Sequence, residues 1–91
     1  MDERRRKLLF RANHRGFKEM DLLMGAFAQQ TLAGMSSEEL DEFEHLLALD
    51  DQDVYGWIIG RELAPEHVEC AVLEQLKAFD LPKYLSRHGL A

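Results

Sequence analysis

Ser36-Ser37-Glu38-Glu39-Leu40-Asp41-Glu42-Phe43-Glu44-His45-Leu46-Leu47 carries both a start signal and a face. A serine at an N-cap accepts the amide three residues on, and a glutamate at that third position reaches back, so Ser36 and Glu39 fit a capping box. Leu40, Phe43, Leu46 and Leu47 recur at helical spacing, while Glu38, Asp41, Glu42 and Glu44 fall on the other side. One face is for burial and one for water, the pattern of a helix in a bundle.

The same reading extends in both directions. Upstream, Phe17, Met20, Leu23, Met24, Phe27 and Ala28 predict a helix from about Phe17 to Leu32, with Gly34 placed to end it in a left-handed conformation. Before it, Asp2 to about Arg15 reads as a first helix, acidic at its start and basic later, with Leu8, Leu9 and Ala12 as apolar contacts and Gly16 as the break. Downstream, Asp50-Asp51-Gln52-Asp53 opens a fourth helix containing Val54, Tyr55, Trp57 and Ile58, which Gly60 stops. Pro65 at a first helical position predicts a fifth helix to Phe79, with Val68, Ala71, Val72, Leu76 and Phe79 on one side. Pro82 marks its end, and residues 81–91 read as a C-terminal tail beyond a domain of residues 1–80. The expected fold class is all-α, a compact single-domain bundle of about five short helices.

Composition bounds what such a bundle does. Its 91 residues are 46% apolar and 31% charged, a globular balance rather than a disordered one. A domain of this size has a stability of about 5 kcal/mol and little volume for an enclosed active site. A module working through its surface is therefore expected, with no catalytic residues of its own. No run approaches the length of a bilayer span, and no long apolar segment follows the basic start, so neither membrane insertion nor a secretory signal is expected. A single cysteine, Cys70, fits a reducing compartment. The expected location is bacterial cytoplasm, or the mitochondrial matrix if the chain is a processed form.

The net charge of −6 conceals an asymmetry. Residues 1–18 hold seven Lys and Arg against two acids, and no Lys or Arg lies between Lys18 and Arg61. A basic arm on an acidic body suits orientation of a partner by charge. Arg4, Arg5, Arg6, Lys7 and Arg11 could track phosphates, but Phe10 is the only aromatic among them and no nucleic-acid motif follows, so nucleic acid is disfavoured.

Chemistry concentrates at His14-Arg15-Gly16-Phe17-Lys18-Glu19. Arg15 offers a planar fork of donors, Gly16 lacks the side chain that would hold another backbone away, and Glu19 accepts from amides or cations. These residues make a polar contact point; the plainer reading is an interhelix glycine with surface charges, Arg15 and Glu19 pairing only if the helix were continuous. Asp50, Asp51 and Asp53 lack the further oxygen ligands of a calcium loop and read as helix capping. Trp57 and Tyr55 read as core. His67 and Cys70 lie three apart on one predicted helical face, without the further ligands that a zinc site needs.

The order Arg15-Gly-x-x-Glu19-x-Asp21, followed by Leu40, Phe43, Leu46-Leu47, Asp50-Asp51-x-Asp53 and Trp57, resembles the FAD assembly factors of succinate dehydrogenase over residues 4–79. These are small five-helix proteins that promote covalent flavinylation of the flavoprotein subunit. The resemblance implies an assembly chaperone rather than an enzyme, acting on FAD held in the partner and binding no cofactor tightly itself. Its partner would be the flavoprotein subunit of succinate dehydrogenase, with fumarate reductase as a second client, and the free protein would be a monomer. It implies a partner-binding surface of His14, Arg15, Gly16, Phe17, Lys18, Glu19 and Asp21. Phe17 stands where the family usually has Met, Lys18 where it often has Arg, and His14 where a basic residue is frequent. The alternative from another class is a regulatory, antitoxin-like or nucleic-acid-binding module using the basic first helix.

Overall fold

The computed structural model describes residues 1–89, in which six α-helices and two short 3₁₀ turns follow one another without a strand. The helices are α1 (Glu3–Ala12), α2 (Lys18–Thr31), α3 (Ser37–Ala48), α4 (Asp51–Ile58), α5 (Ala71–Ala78) and α6 (Leu81–Arg87). The all-α bundle expected from periodicity is present. Its Cα radius of gyration, 12.4 Å, matches the value of about 12 Å for a compact domain of this length.

Most starts follow from the local sequence. Asp2 caps α1 by accepting from the Arg5 amide, and burial of Leu8 and Ala12 orients the helix. Ser36 and Glu39 form the capping box of α3 as expected, with Leu40, Phe43, Leu46 and Leu47 buried. Asp50 caps α4 by accepting from the Gln52 and Asp53 amides. Phe27, Phe43, Met20 and Met24 fill the centre together with Leu32, Leu46, Leu73 and Leu76. The Phe27 ring lies 5.8 Å from Phe43 and 5.6 Å, edge-on, from Phe79. Trp57 is buried with them, whereas Tyr55 is only partly covered.

Three expectations need correction. Gly34 does not end α2 in a left-handed turn; it lies in a 3₁₀ turn, Leu32–Gly34, and the positive φ angles among described residues belong to Gly60 and Gly89. The predicted fifth helix is two elements. Glu66–Val68 is a 3₁₀ turn, and extended backbone at Glu69 and Cys70 separates it from α5. The Cys70 side chain makes no cap; Glu42 of α3 instead accepts the Val72 amide at 3.1 Å, placing a carboxylate at the positive end of α5. The break also rotates the apolar face, so Leu73 is buried and Ala71 is exposed.

The third correction concerns residues 81–91. Residues 81–87 form α6 rather than a tail, because Asp80 accepts the Lys83 amide and Pro82 sits where a helix needs no N–H. Tyr84 anchors α6 against the bundle, its ring 5.8 Å from Phe79. Positions 90 and 91 of the predicted tail lie outside the described residues.

Arginines close the bundle across long stretches of sequence. Arg4 pairs with Asp41 at 2.6 Å and Glu44 at 3.1 Å on α3. Arg5 donates to the carbonyls of Leu32 at 2.8 Å and Met35 at 2.6 Å, satisfying acceptors that the end of α2 leaves open. Where α1 ends, the Asn13 side chain lies so close to Gly25 of α2 that a Cβ there would meet its Oδ1.

Candidate functional site

The turn from Asn13 to Phe17 joins α1 to α2, and Asp51 at the start of α4 holds it from below. Arg15 Nε donates to Asp51 Oδ1 at 3.0 Å, and the Gly16 amide donates to Asp51 Oδ2 at 2.6 Å. The other two guanidinium nitrogens of Arg15 also have partners: Nη1 reaches the Arg11 carbonyl at 3.0 Å and Nη2 the Leu47 carbonyl at 2.7 Å. Asp21, one turn into α2, accepts the Arg15 amide. One guanidinium thus ties the ends of α1 and α3 to the first turn of α4.

This arrangement explains the glycine. A Cβ on Gly16 would stand 3.1 Å from Asp51 Oδ2, inside ordinary contact and against a carboxylate that two donors already hold. The segment that comes close to Gly16 belongs to this protein, and a side chain there would make the Asp51 carboxylate give by a few tenths of an ångström. The side chains of Arg15 and Asp51 are 11% and 18% exposed, so water screens their pair only partly.

The seven sequence-derived residues therefore separate into two groups. Arg15 and Asp21 are half-buried and hydrogen-bonded within the turn, with Gly16 beside them at the surface. His14, Lys18 and Glu19 are exposed, and among the described residues neither Lys18 nor Glu19 has an ion pair. His14 Nδ1 donates to the Phe10 carbonyl at 2.7 Å, and its ring stacks on Phe10 at 4.0 Å. Phe17 is half-buried, with its ring edge-on to Tyr55 of α4 at 5.2 Å. The pairing of Arg15 with Glu19 conceived for a continuous helix does not arise, because backbone at Phe17 is extended.

Sequence reasoning missed this role of Asp51, which it assigned to helix capping with its neighbours. The basic arm is likewise divided. Arg4 pairs with α3 at the surface and Arg5 with carbonyls of the fold, while Arg6, Arg11 and the Lys7–Glu3 pair surround an exposed Phe10 on the outer side of α1. His67 and Cys70 do not share a helical face, since the chain changes direction between them. Burial pushes the Cys70 thiol above its usual range, and the negative Glu42 carboxylate adds to the rise.

One surface turn of this small helical domain is thus fixed by a largely covered ion pair, Arg15 with Asp51. A family profile described as a flavinator of succinate dehydrogenase matches residues 6–80. The chain belongs to this family. It is similar to the FAD assembly factor SdhE of Acetobacter pasteurianus, 40% identical over 73 residues that cover 80% of this chain and 67% of that one. It is also similar to the mitochondrial succinate dehydrogenase assembly factor 2 of Dictyostelium discoideum, with 34% identity over 81% of this chain and 52% of that one. The Debaryomyces hansenii protein of the same name is 44% identical over 63% of this chain and 40% of its own. The chain thus spans about half the length of these mitochondrial relatives.

Proposed function

We propose that this protein is an assembly factor that promotes covalent attachment of FAD to the flavoprotein subunit of succinate dehydrogenase by binding and orienting that subunit. The observation that carries the reading is the turn braced by Arg15 and Asp51, which presents Gly16, Lys18 and Glu19 on a rigid base within a chain of the flavinator family. The nucleophilic histidine and the flavin belong to the client, and this chain supplies neither nucleophile nor base. Holding two reacting groups in line is worth about 7–11 kcal/mol in favourable intramolecular cases, so alignment is a sufficient contribution. Arg15 and Asp21 then act as positioning residues, and Gly16, Phe17, Lys18, Glu19 and His14 form the surface that the client meets.

FAD remains with the client throughout. The free factor is a monomer, fumarate reductase is a second client, and the site of action is the compartment where the flavoprotein folds, bacterial cytoplasm or mitochondrial matrix. Among the described residues no helix is long and apolar enough to cross a membrane. The rival reading as a nucleic-acid module gains no support, since Arg4 and Arg5 are engaged within the fold.

The test is the covalent flavin in the client, read as fluorescence of the denatured band with and without this protein. Wild type should raise the signal, while Gly16→Arg and Glu19→Ala should not, although both remain folded by circular dichroism. Unchanged covalent flavin on adding wild type, together with no complex between the two proteins, would overturn the proposal.

A further inference from the structure

A groove of about 530 Å³ opens beside the motif turn, between α2, α4 and the junction of α5 with α6. Its walls are apolar: Leu22 from α2, Ile58 and Ile59 from the end of α4, and Phe79 and Leu81 from the junction. Leu22 and Ile59 are 46% and 52% exposed, so two large aliphatic side chains stand half in water. Glu19, the last residue of the Arg-Gly-x-x-Glu motif, lines the same groove. The motif also touches it from below, because the Phe17 ring packs edge-on against Tyr55, another wall residue.

The charges on the rim favour one kind of occupant. The rim cation, Lys77, is held by Glu74 at 3.1 Å and Glu69 at 3.6 Å, and these carboxylates raise its affinity for its proton. The acids Glu19 and Asp80 have no ion pair among the described residues. An anion-bearing ligand would bring its phosphates against two carboxylates, so the groove does not suit a free dinucleotide. An apolar side chain flanked by Lys or Arg satisfies both the walls and the rim.

We propose that this groove is the second half of the client-binding surface, taking a segment of the flavoprotein subunit in which an aliphatic or aromatic residue is flanked by a cation that pairs with Glu19. The proposal rests on the assembly-factor reading and extends it from a short motif to a contact with an apolar centre. A second copy of this chain offers a similar chemistry, since Phe10 lies exposed beside Arg6, Arg11 and the Lys7–Glu3 pair. Insertion of that face into the groove of another copy would be heterologous and head-to-tail, a contact that builds open chains unless the rotation closes.

The experiment measures the dissociation constant for the flavoprotein subunit by calorimetry, using wild type, Leu22→Asp, Ile59→Asp, Glu19→Gln and Leu63→Asp. Leu63 is 97% exposed and outside the groove, so it is the control for adding a surface charge. We expect Leu22→Asp and Ile59→Asp to weaken binding at least tenfold and Leu63→Asp less than twofold. Glu19→Gln should weaken binding and also reduce its dependence on salt. If wild type binds and both groove variants bind as tightly, the groove is not the contact and the proposal fails while the assembly-factor reading stands. If wild type does not bind the subunit, that reading fails and the groove proposal with it. Sedimentation showing that wild type self-associates and Ile59→Asp does not, with client affinity unchanged, would assign the groove to a second copy and overturn the proposal. Saturable binding of free FAD that Ile59→Asp removes would overturn it too. Should Ile59→Asp unfold, an environment-sensitive dye on Ile59→Cys must shift on adding the client, and an unshifted spectrum refutes the contact.

Discussion

Replacing Asp51 by alanine should loosen the motif turn without touching the motif itself. The change removes the 3.0 Å pair with Arg15 and the 2.6 Å bond from the Gly16 amide. A hydrogen bond to a charged group contributes about 1.5–3 kcal/mol, and a carboxylate in the first turn of a helix adds about 0.3–1 kcal/mol. Water can replace Asp51 at the exposed Gly16 amide, and Arg15 keeps its bonds to the Arg11 and Leu47 carbonyls, so the loss falls short of the full sum. We expect Asp51→Ala to destabilise the protein by about 2–3 kcal/mol, a fall in Tm of about 10–20 °C for a domain of this size. The assay is urea unfolding of a double-mutant cycle, Arg15→Ala with Asp51→Ala, beside the same cycle for Arg4 and Asp41. The second pair is a useful yardstick because its side chains are 39% and 71% exposed. Exposed pairs couple by about 0.2–1 kcal/mol, whereas Arg15 and Asp51 should couple by about 1.5 kcal/mol or more. Equal coupling in the two cycles would refute the view that Asp51 braces the turn. Asp51→Asn, which keeps an acceptor for Gly16 but loses the charge, should fall between wild type and alanine in both stability and covalent flavin yield.

Two further outcomes follow from the remaining geometry. Burial holds the folded Cys70 thiol above its unfolded pKa, so its contribution to stability is complete below about pH 8.5 and is lost as pH rises through the folded value. Iodoacetamide should therefore alkylate native Cys70 more slowly than the urea-unfolded chain at the same pH, and equal rates would contradict the burial. Tyr84→Ala should release α6, since this ring is the buried residue of that helix. Hydrogen exchange should show protection lost over residues 81–87 with a global destabilisation below about 2 kcal/mol; retained protection would show that another contact holds the helix.

The parts of the fold legible in the sequence are those whose causes lie within one or two turns. The capping box at Ser36, the Asp50 cap and the periodicity of Met20, Met24 and Phe27 all place their elements correctly. The break before α5 was hidden because Val68 and Val72 keep helical spacing across it, while the group that caps the new helix, Glu42, lies 30 residues away. Helix α6 was hidden by an ambiguity: Pro82 serves equally to stop one helix or to begin the next. Asp80 two residues earlier is the cue that decides it, as its side chain accepts the Lys83 amide. At the site, the residue types of the Arg-Gly-x-x-Glu element marked the turn, but the role of Arg15 was illegible because its anion, Asp51, is 36 residues distant.

The long reach of the early arginines has a consequence for synthesis. Arg4 and Arg5 close on residues between Leu32 and Glu44, and Arg15 closes on Leu47 and Asp51. As the chain leaves the ribosome, its first segment therefore lacks these partners until α3 and the start of α4 have emerged. Until then the basic stretch has only its local partners, Asp2 and Glu3 at the start of α1, and the turn carrying Gly16 has Asp21 and Arg11 but lacks the Asp51 and Leu47 contacts. The brace on the Gly16 turn is therefore completed only once Asp51 has been made, 35 residues after the glycine that it holds.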